Sequence, residues 1–346
     1  MTGVAAIDAI LSIDLGAVVA NWRRLGAVHG APCAAVVKAD GYGLGAAPVG
    51  RALQAAGCRH FFVAHLAEGL ALRAALGPDA MVAVLNGFPA GADGAAGLTP
   101  VLNGLADVAA HQGRPGIVQL DTGMARLGVP PEEWSQLAGQ APLFLMTHLA
   151  VADQPDHALN AMQAGRFAAA RALFPGVPAS LAASSGIFLG PDFASDLARP
   201  GAALYGINPT PGLPNPMRQV VRLEAPVLQV REIAAGAPVG YGATWVAERP
   251  SRVATVAAGY ADGYPRALSG RAIASFQGQP VPLIGRVSMD LTTFDVTDLP
   301  GLRPGDALTL IGPGCTPDEV AERAGTIGYE ILTSLGARYR RQYQPA

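Results

Sequence analysis

The chain has 346 residues, half of them apolar, 14% charged, with a net charge of -2. That length holds two domains, or one barrel with an appendage, and the composition excludes a disordered chain. With no basic stripe, no apolar run near the ~20 residues of a spanning helix and no charged-then-apolar leader, the sequence reads as cytoplasmic, with neither nucleic-acid binding nor membrane insertion.

Ile10 to Ile13 is a short β-like run, and Asp14 then caps a helix with Val18, Trp22 and Leu25 on its apolar face. Strand candidates follow at Ala34–Lys38, Phe61–Ala64, Met81–Leu85, Pro100–Asn103, Ile117–Asp121, Leu143–His148, Leu181–Ala183 and Ala202–Tyr205. Helix-like stretches lie between most of them, such as the one with Val49, Ala52, Leu53 and Ala56 on one face, stopped by Gly57, and Asp156–Phe174. This alternation predicts an α/β fold whose first part, residues 1–222, is a (β/α)8 TIM-type barrel.

From about Arg222 the texture changes. Val227–Val230, Val253–Ala258, Ala272–Phe276, Val281–Ile284, Thr292–Val296 and Ala307–Ile311 are strand-like, separated by turns such as Gln277-Gly278 and Pro304-Gly305-Asp306. Thr316-Pro-Asp-Glu319 has the pattern of a capping box with proline at the first helical position. Residues 223–346 are therefore expected to form a mostly-β domain with a late helix. Cys33, Cys58 and Cys315 are odd in number, far apart and without metal-ligand spacing, so they read as reduced thiols, and no metal site is expected.

Lys38 ends an apolar run just before the Gly41-Tyr42-Gly43-Leu44-Gly45 turn, and it is the only lysine among 24 Lys and Arg residues. Arginine keeps its proton at ordinary pH. A desolvated lysine loses it and can form a Schiff base. At the C-terminal end of a first barrel strand, Lys38 would lie on the face where barrel chemistry sits. A Schiff-base lysine needs a carbonyl cofactor with an anchored phosphate. Tyr42 and its neighbouring glycines, the Ser184-Ser185-Gly186 turn and the N–H groups near Gly201 and Ala202 are candidates for that phosphate.

The segment Val36-Val-Lys-Ala-Asp-Gly-Tyr-Gly43 resembles the pyridoxal-phosphate (PLP) lysine motif of bacterial alanine racemases. Five further stretches resemble the same family in order: Leu120–Gly128, Met146–Ala150, Arg199–Gly206, Ala258–Arg266 and Gly285–Asp290. Gly328-Tyr329-Glu330 resembles a segment whose tyrosine reaches the PLP phosphate. The resemblance covers nearly the whole chain.

Racemising an α-carbon needs a base on one face and an acid on the other. The resemblance implies that Lys38 holds PLP and serves the D-face, while Tyr260 serves the L-face. A phenol has an ordinary pKa of about 10, so its anion must be favoured by neighbours; His148 and Arg199 resemble the supporting pair. Arg199 also resembles the residue facing the pyridine nitrogen, where a guanidinium cannot accept a proton. Arg126 and the Met289 backbone resemble the substrate-carboxylate contacts, with Asp290 as nearby support. The resemblance further implies a homodimer with shared active sites, alanine as substrate, and supply of D-alanine for peptidoglycan.

One position departs from the family. A lysine, often carbamylated, commonly stands two residues before the Asp-Thr-Gly; here it is Gln119. A neutral amide can accept a hydrogen bond from Arg126 but brings no charge, so a looser Arg126 or an anion beside it is expected. Two other readings are less well supported. A PLP decarboxylase lacks support because that group's cysteine near the end of the β domain is absent. A non-catalytic PLP carrier would not need the second domain.

Overall fold

The computed structural model describes residues 8–94, 96–111 and 114–346. It divides into two compact units, Leu15–Arg218 and Gln219–Pro345 with the chain up to Asp14. The first strand, β1 (Ile10–Asp14), therefore belongs to the second unit.

The first unit is a barrel. Its parallel strands are β2 (Ala35–Val36), β3 (His60–Val63), β4 (Met81–Val84), β5 (Thr99–Leu102), β6 (Ile117–Gln119), β7 (Phe144–Met146) and β8 (Ala179–Ser180), hydrogen-bonded in chain order. Most of their residues are buried, which is the texture of parallel strands covered on both faces. Helices Leu15–His29, Ala46–Ala55, Leu66–Leu76, Leu105–Ala110 and Ala158–Arg171 cover the outside. Phe167, Ala170 and Phe174 pack with Val118, Leu145 and Ala179 in one apolar cluster.

The eighth strand is not where the sequence predicted it. Ala202–Tyr205 is a 3-10 turn, and Leu181–Ala183 lies just past β8. Residues 197–200 close the ring instead. Ala34 N and Val36 N donate to Ala198 O and Pro200 O at 2.8 and 3.0 Å, and Ala198 N donates to Pro32 O at 3.0 Å. On the other side Leu197 N donates to Ala179 O at 3.2 Å and Arg199 N to Ala182 O at 2.8 Å. This segment is short and contains Pro200, so it forms only an isolated bridge with Cys33 rather than a regular ladder.

The second unit is mostly β. Its longest strand, β9 (Val221–Ile233), buries Val221, Leu223, Ala225 and Val227 and turns the residues between them outward, the period of two expected of a strand with one covered face. It pairs antiparallel with β1, Ser251–Val256 and Ala307–Ile311. The last strand, Arg340–Gln344, adds parallel to β1. Gln277 and Gly278 both have positive φ, 51° and 83°, and Phe276 pairs with Gln279, so the expected turn is formed and closes a hairpin. The capping box is also formed. Thr316 Oγ1 accepts from Glu319 N at 3.3 Å, Thr316 N donates to Glu319 Oε2 at 2.7 Å, and Pro317 starts the helix Pro317–Ala324. Cys33, Cys58 and Cys315 are free and buried.

Candidate active site

Lys38 follows β2 and begins an unusual turn. Ala39, Asp40, Gly41 and Tyr42 have φ of 51°, 51°, 65° and 55°, four consecutive residues in the left-handed region. For the non-glycine residues this costs about 1–2 kcal/mol each, so the turn must be held by its surroundings. Glu68 Oε1 accepts from Ala39 N at 2.7 Å, and its Oε2 accepts from Ala64 N and His65 N at 2.8 and 3.1 Å. Asp40 Oδ1 accepts from Ala46 N at 2.8 Å. Glu68 thus ties the loop after the lysine to the loop after β3.

The Lys38 amine is held below its ordinary pKa, first by burial and then by the nearby Arg126 guanidinium, with Glu68 opposing. Both leading causes favour the uncharged amine, which is the nucleophilic form. His148, just past β7, is pushed down to about 3 by burial and by Arg199, Arg126 and Lys38. It is therefore a neutral imidazole at working pH. Arg199 is 4% exposed. Its Nη1 donates to Ser180 Oγ and its Nη2 to Thr147 O, each at 2.5 Å, and burial lowers its pKa to about 9. The barrel therefore brings Lys38, Arg126, His148 and Arg199 into one electrostatic cluster.

Tyr42 is buried, and its ring packs on Tyr205 with centroids 4.8 Å apart. Tyr205 in turn donates to Val36 O at 3.2 Å. The Tyr42 phenol lies over Gly201, where a Cβ would come within 2.2 Å of its oxygen. Only glycine leaves that cradle open. Ser184 Oγ accepts from Gly201 N and Ala203 N at 3.1 and 3.2 Å, with Ser185 next in the chain. Phenol, serine hydroxyls and main-chain amides at the start of a 3-10 turn form a donor set suited to a phosphate. With an adjacent amine whose pKa is lowered by burial, they fit a PLP-sized group.

Arg126 sits on a loop organised from within. Asp121 Oδ1 accepts from Gly123 N, Met124 N and Ala125 N at 2.9, 2.9 and 3.2 Å. Gln119 is buried and donates to Leu127 O at 3.1 Å. Arg126 itself is exposed. Behind the loop lies a residue that the sequence did not reveal. Gln163, on the Ala158–Arg171 helix, is fully buried. Its Nε2 donates to Thr122 Oγ1 at 3.2 Å and His148 O at 3.0 Å, and its Oε1 accepts from Ala150 N at 2.8 Å. Thr122 Oγ1 meets Thr147 Oγ1 at 2.8 Å. One glutamine thus joins the Arg126 loop to the His148 loop. Its only local signal is a polar residue on the inner face of an amphipathic helix.

The second unit carries the other predicted residues. Tyr260 opens a 3-10 turn, Tyr260–Asp262, and is 42% exposed; Met289 is 53% exposed. The two are stitched together by backbone. Tyr260 N donates to Ser288 O at 3.0 Å, and Ala261 N to Met289 O at 2.9 Å. Asp290 accepts from Arg338 at 2.8 Å. Tyr329 lies on the short helix Gly328–Thr333, with its side chain partly exposed.

The description "Alanine racemase, N-terminal domain" matches residues 13–209, and "Alanine racemase, C-terminal domain" matches residues 220–343. The alanine racemase of Acidiphilium cryptum is 56% identical over 96% of this chain and 97% of its own length. That of Methylobacterium nodulans is 52% identical, covering 99% and 98%. The crystal structure of Bartonella henselae alanine racemase with covalently bound pyridoxal phosphate superposes with a TM-score of 0.92 at 42% identity, covering 98% and 100% of the two chains. A barrel with a lone desolvated lysine, followed by a β unit matched along its whole length, leaves one assignment: the chain belongs to the alanine racemase family.

Proposed function

We propose that the chain interconverts L-alanine and D-alanine with PLP as cofactor, by proton transfer at opposite faces of the α-carbon. The observation that carries this reading is the half-buried Lys38 amine at the mouth of the barrel, held below its ordinary pKa by burial and Arg126. PLP, when bound, supplies an electron-withdrawing ring that makes the substrate α-proton acidic. Lys38 would hold it, and Tyr42, Ser185, Gly201 and Ala202, with Tyr329, would receive the phosphate. Arg199, fixed by Ser180 and Thr147, would face the ring nitrogen, and a guanidinium, which cannot accept a proton, would leave that nitrogen neutral.

Lys38 moves the proton on the D-face and Tyr260 on the L-face, with His148 and Arg199 supporting the phenol. Arg126 and the Met289 backbone take the substrate carboxylate, Asp290 supports Met289, and Gln119 lines the Arg126 loop without charge. An anion beside Arg126 would supply the charge that Gln119 lacks. Tyr260 and Met289 act in the partner subunit of a cytoplasmic homodimer, the barrel carries the cofactor, and the D-alanine produced serves peptidoglycan synthesis.

The purified protein should racemise alanine. Lys38→Ala should remove both activity and the visible band of the bound cofactor. Tyr260→Phe should keep the band and lower kcat by about 10²–10⁴. A fully active Tyr260→Phe enzyme would end the two-face scheme.

A further inference from the structure

We propose that Arg338 is a positioning residue that locks the Tyr260 turn and the Met289 loop in one register. The inference rests on the roles given to Tyr260 and Met289 above. Arg338 Nε pairs with Asp262 Oδ1 at 3.0 Å, and its Nη1 pairs with Asp290 Oδ1 at 2.8 Å. The two carboxylates do different work. Asp262 is buried, and its Oδ2 accepts from Gly259 N at 2.9 Å, closing the turn whose first residue is Tyr260. Asp290 is exposed and directly follows Met289. A single guanidinium therefore bridges the turn that presents the phenol and the loop that presents the Met289 backbone.

The segment that brings Arg338 there is itself pressed onto the turn. Gly336 N donates to Asp262 O at 2.9 Å, and a Cβ on Gly263 would lie 1.9 Å from Ser334 O. Tyr339, next to Arg338, is buried and anchors the far side of the segment. A half-exposed ion pair contributes little to stability, and two backbone bonds already join the turn to the loop. The role of Arg338 is therefore geometric. Its fork reaches two carboxylates at once, which a lysine, as a single point charge, does not reproduce.

The two faces give a readout that general damage does not. In D2O, Lys38 should exchange the α-proton of D-alanine with retention, whereas inversion also needs Tyr260. In Arg338→Met holoenzyme the ratio of retained exchange to inversion should rise about tenfold, the scale of a small misplacement, with the cofactor band unchanged. Asp290→Asn, which touches only the exposed pair, should move the ratio in the same direction by less. Arg338→Lys should fall between wild type and Arg338→Met. Tyr260→Phe sets the upper limit. If Tyr260→Phe leaves the ratio at the wild-type value, the two-face reading falls and this proposal falls with it. If Tyr260→Phe raises it while Arg338→Met and Asp290→Asn do not, only the Arg338 bridge is overturned. Should Arg338→Met not fold, Asp290→Asn decides.

Discussion

The two units hold their candidate site residues by opposite means. In the barrel, burial lowers the proton affinity of Lys38, His148 and Arg199, the neighbouring cations lower that of His148 further, and side chains such as Gln163, Ser180 and Glu68 fix the loops. In the β unit, Tyr260 and Met289 stand exposed on turns held mainly by backbone-to-backbone bonds and one ion-pair bridge. Lowering the pKa of an amine by desolvation requires excluding water, so that half is built inward. Holding a phenol exposed on a turn requires a stiff backbone and little else.

Two alanine substitutions probe this contrast most severely. Gly263 has φ of 90°, and its added Cβ would meet the Ser334 carbonyl, an atom of the main chain, at 1.9 Å. Gly263→Ala should therefore lower unfolding stability by at least ~3 kcal/mol. Gly201→Ala should behave differently. Its Cβ meets a side-chain oxygen, that of Tyr42, so Tyr42 can be displaced. It should weaken the cofactor more than the fold, by about tenfold or more in affinity. Thermal melts and a cofactor titration separate the two outcomes. An unchanged melt for Gly263→Ala would contradict the rigid turn.

What the sequence disclosed follows the same division. The capping box at Thr316 and the turn at Gln277-Gly278 were legible because the residues that make them are close in sequence. The strand spacing gave the barrel, since β/α alternation is a local pattern. The membership of β1 in the β unit was not legible. Its partners, Leu223 and Arg341, are more than two hundred residues away. The closing strand escaped because its four residues pair through a few main-chain bonds and leave no apolar alternation. The last strand, Arg340–Gln344, is polar and largely exposed, so it carried no hydrophobic signal. The left-handed run after Lys38 was hidden as well, because Ala39 and Tyr42 do not favour that backbone and only tertiary contacts hold it there.

Gln163→Ala sharpens the contrast from the barrel side. It removes three hydrogen bonds and leaves Thr122 and the His148 carbonyl short of a buried partner. About 2–3 kcal/mol of stability should be lost. Because the Arg126 and His148 loops are freed together, kcat/KM for alanine should fall while the cofactor band at Lys38 stays. If activity were untouched at full occupancy, the glutamine would be a packing residue and the loops would be held by Asp121 alone.

The smallest effect concerns acid. All six histidines lie in the barrel, between His29 and His157, and the β unit has none. His29, His60 and His148 are lowered by burial, the last to about 3. A histidine whose folded pKa is below its unfolded 6.5 binds its proton in the unfolded chain first. Its penalty is absent above 6.5, grows as pH falls below it, and for His148 levels off near 3. For His148 the slope in that window is about 1.4 kcal/mol per pH unit. His148→Gln should therefore flatten the acid limb by about one proton's worth. Trp22 and Trp134 report on the barrel and Trp245 on the β unit, so single-tryptophan variants followed by fluorescence can locate the loss. Acidification should release the barrel signal first, because only that unit has imidazoles that gain protons on unfolding. Simultaneous loss of both signals, with an unchanged slope in His148→Gln, would mean that carboxylates common to the two units govern the acid limit instead.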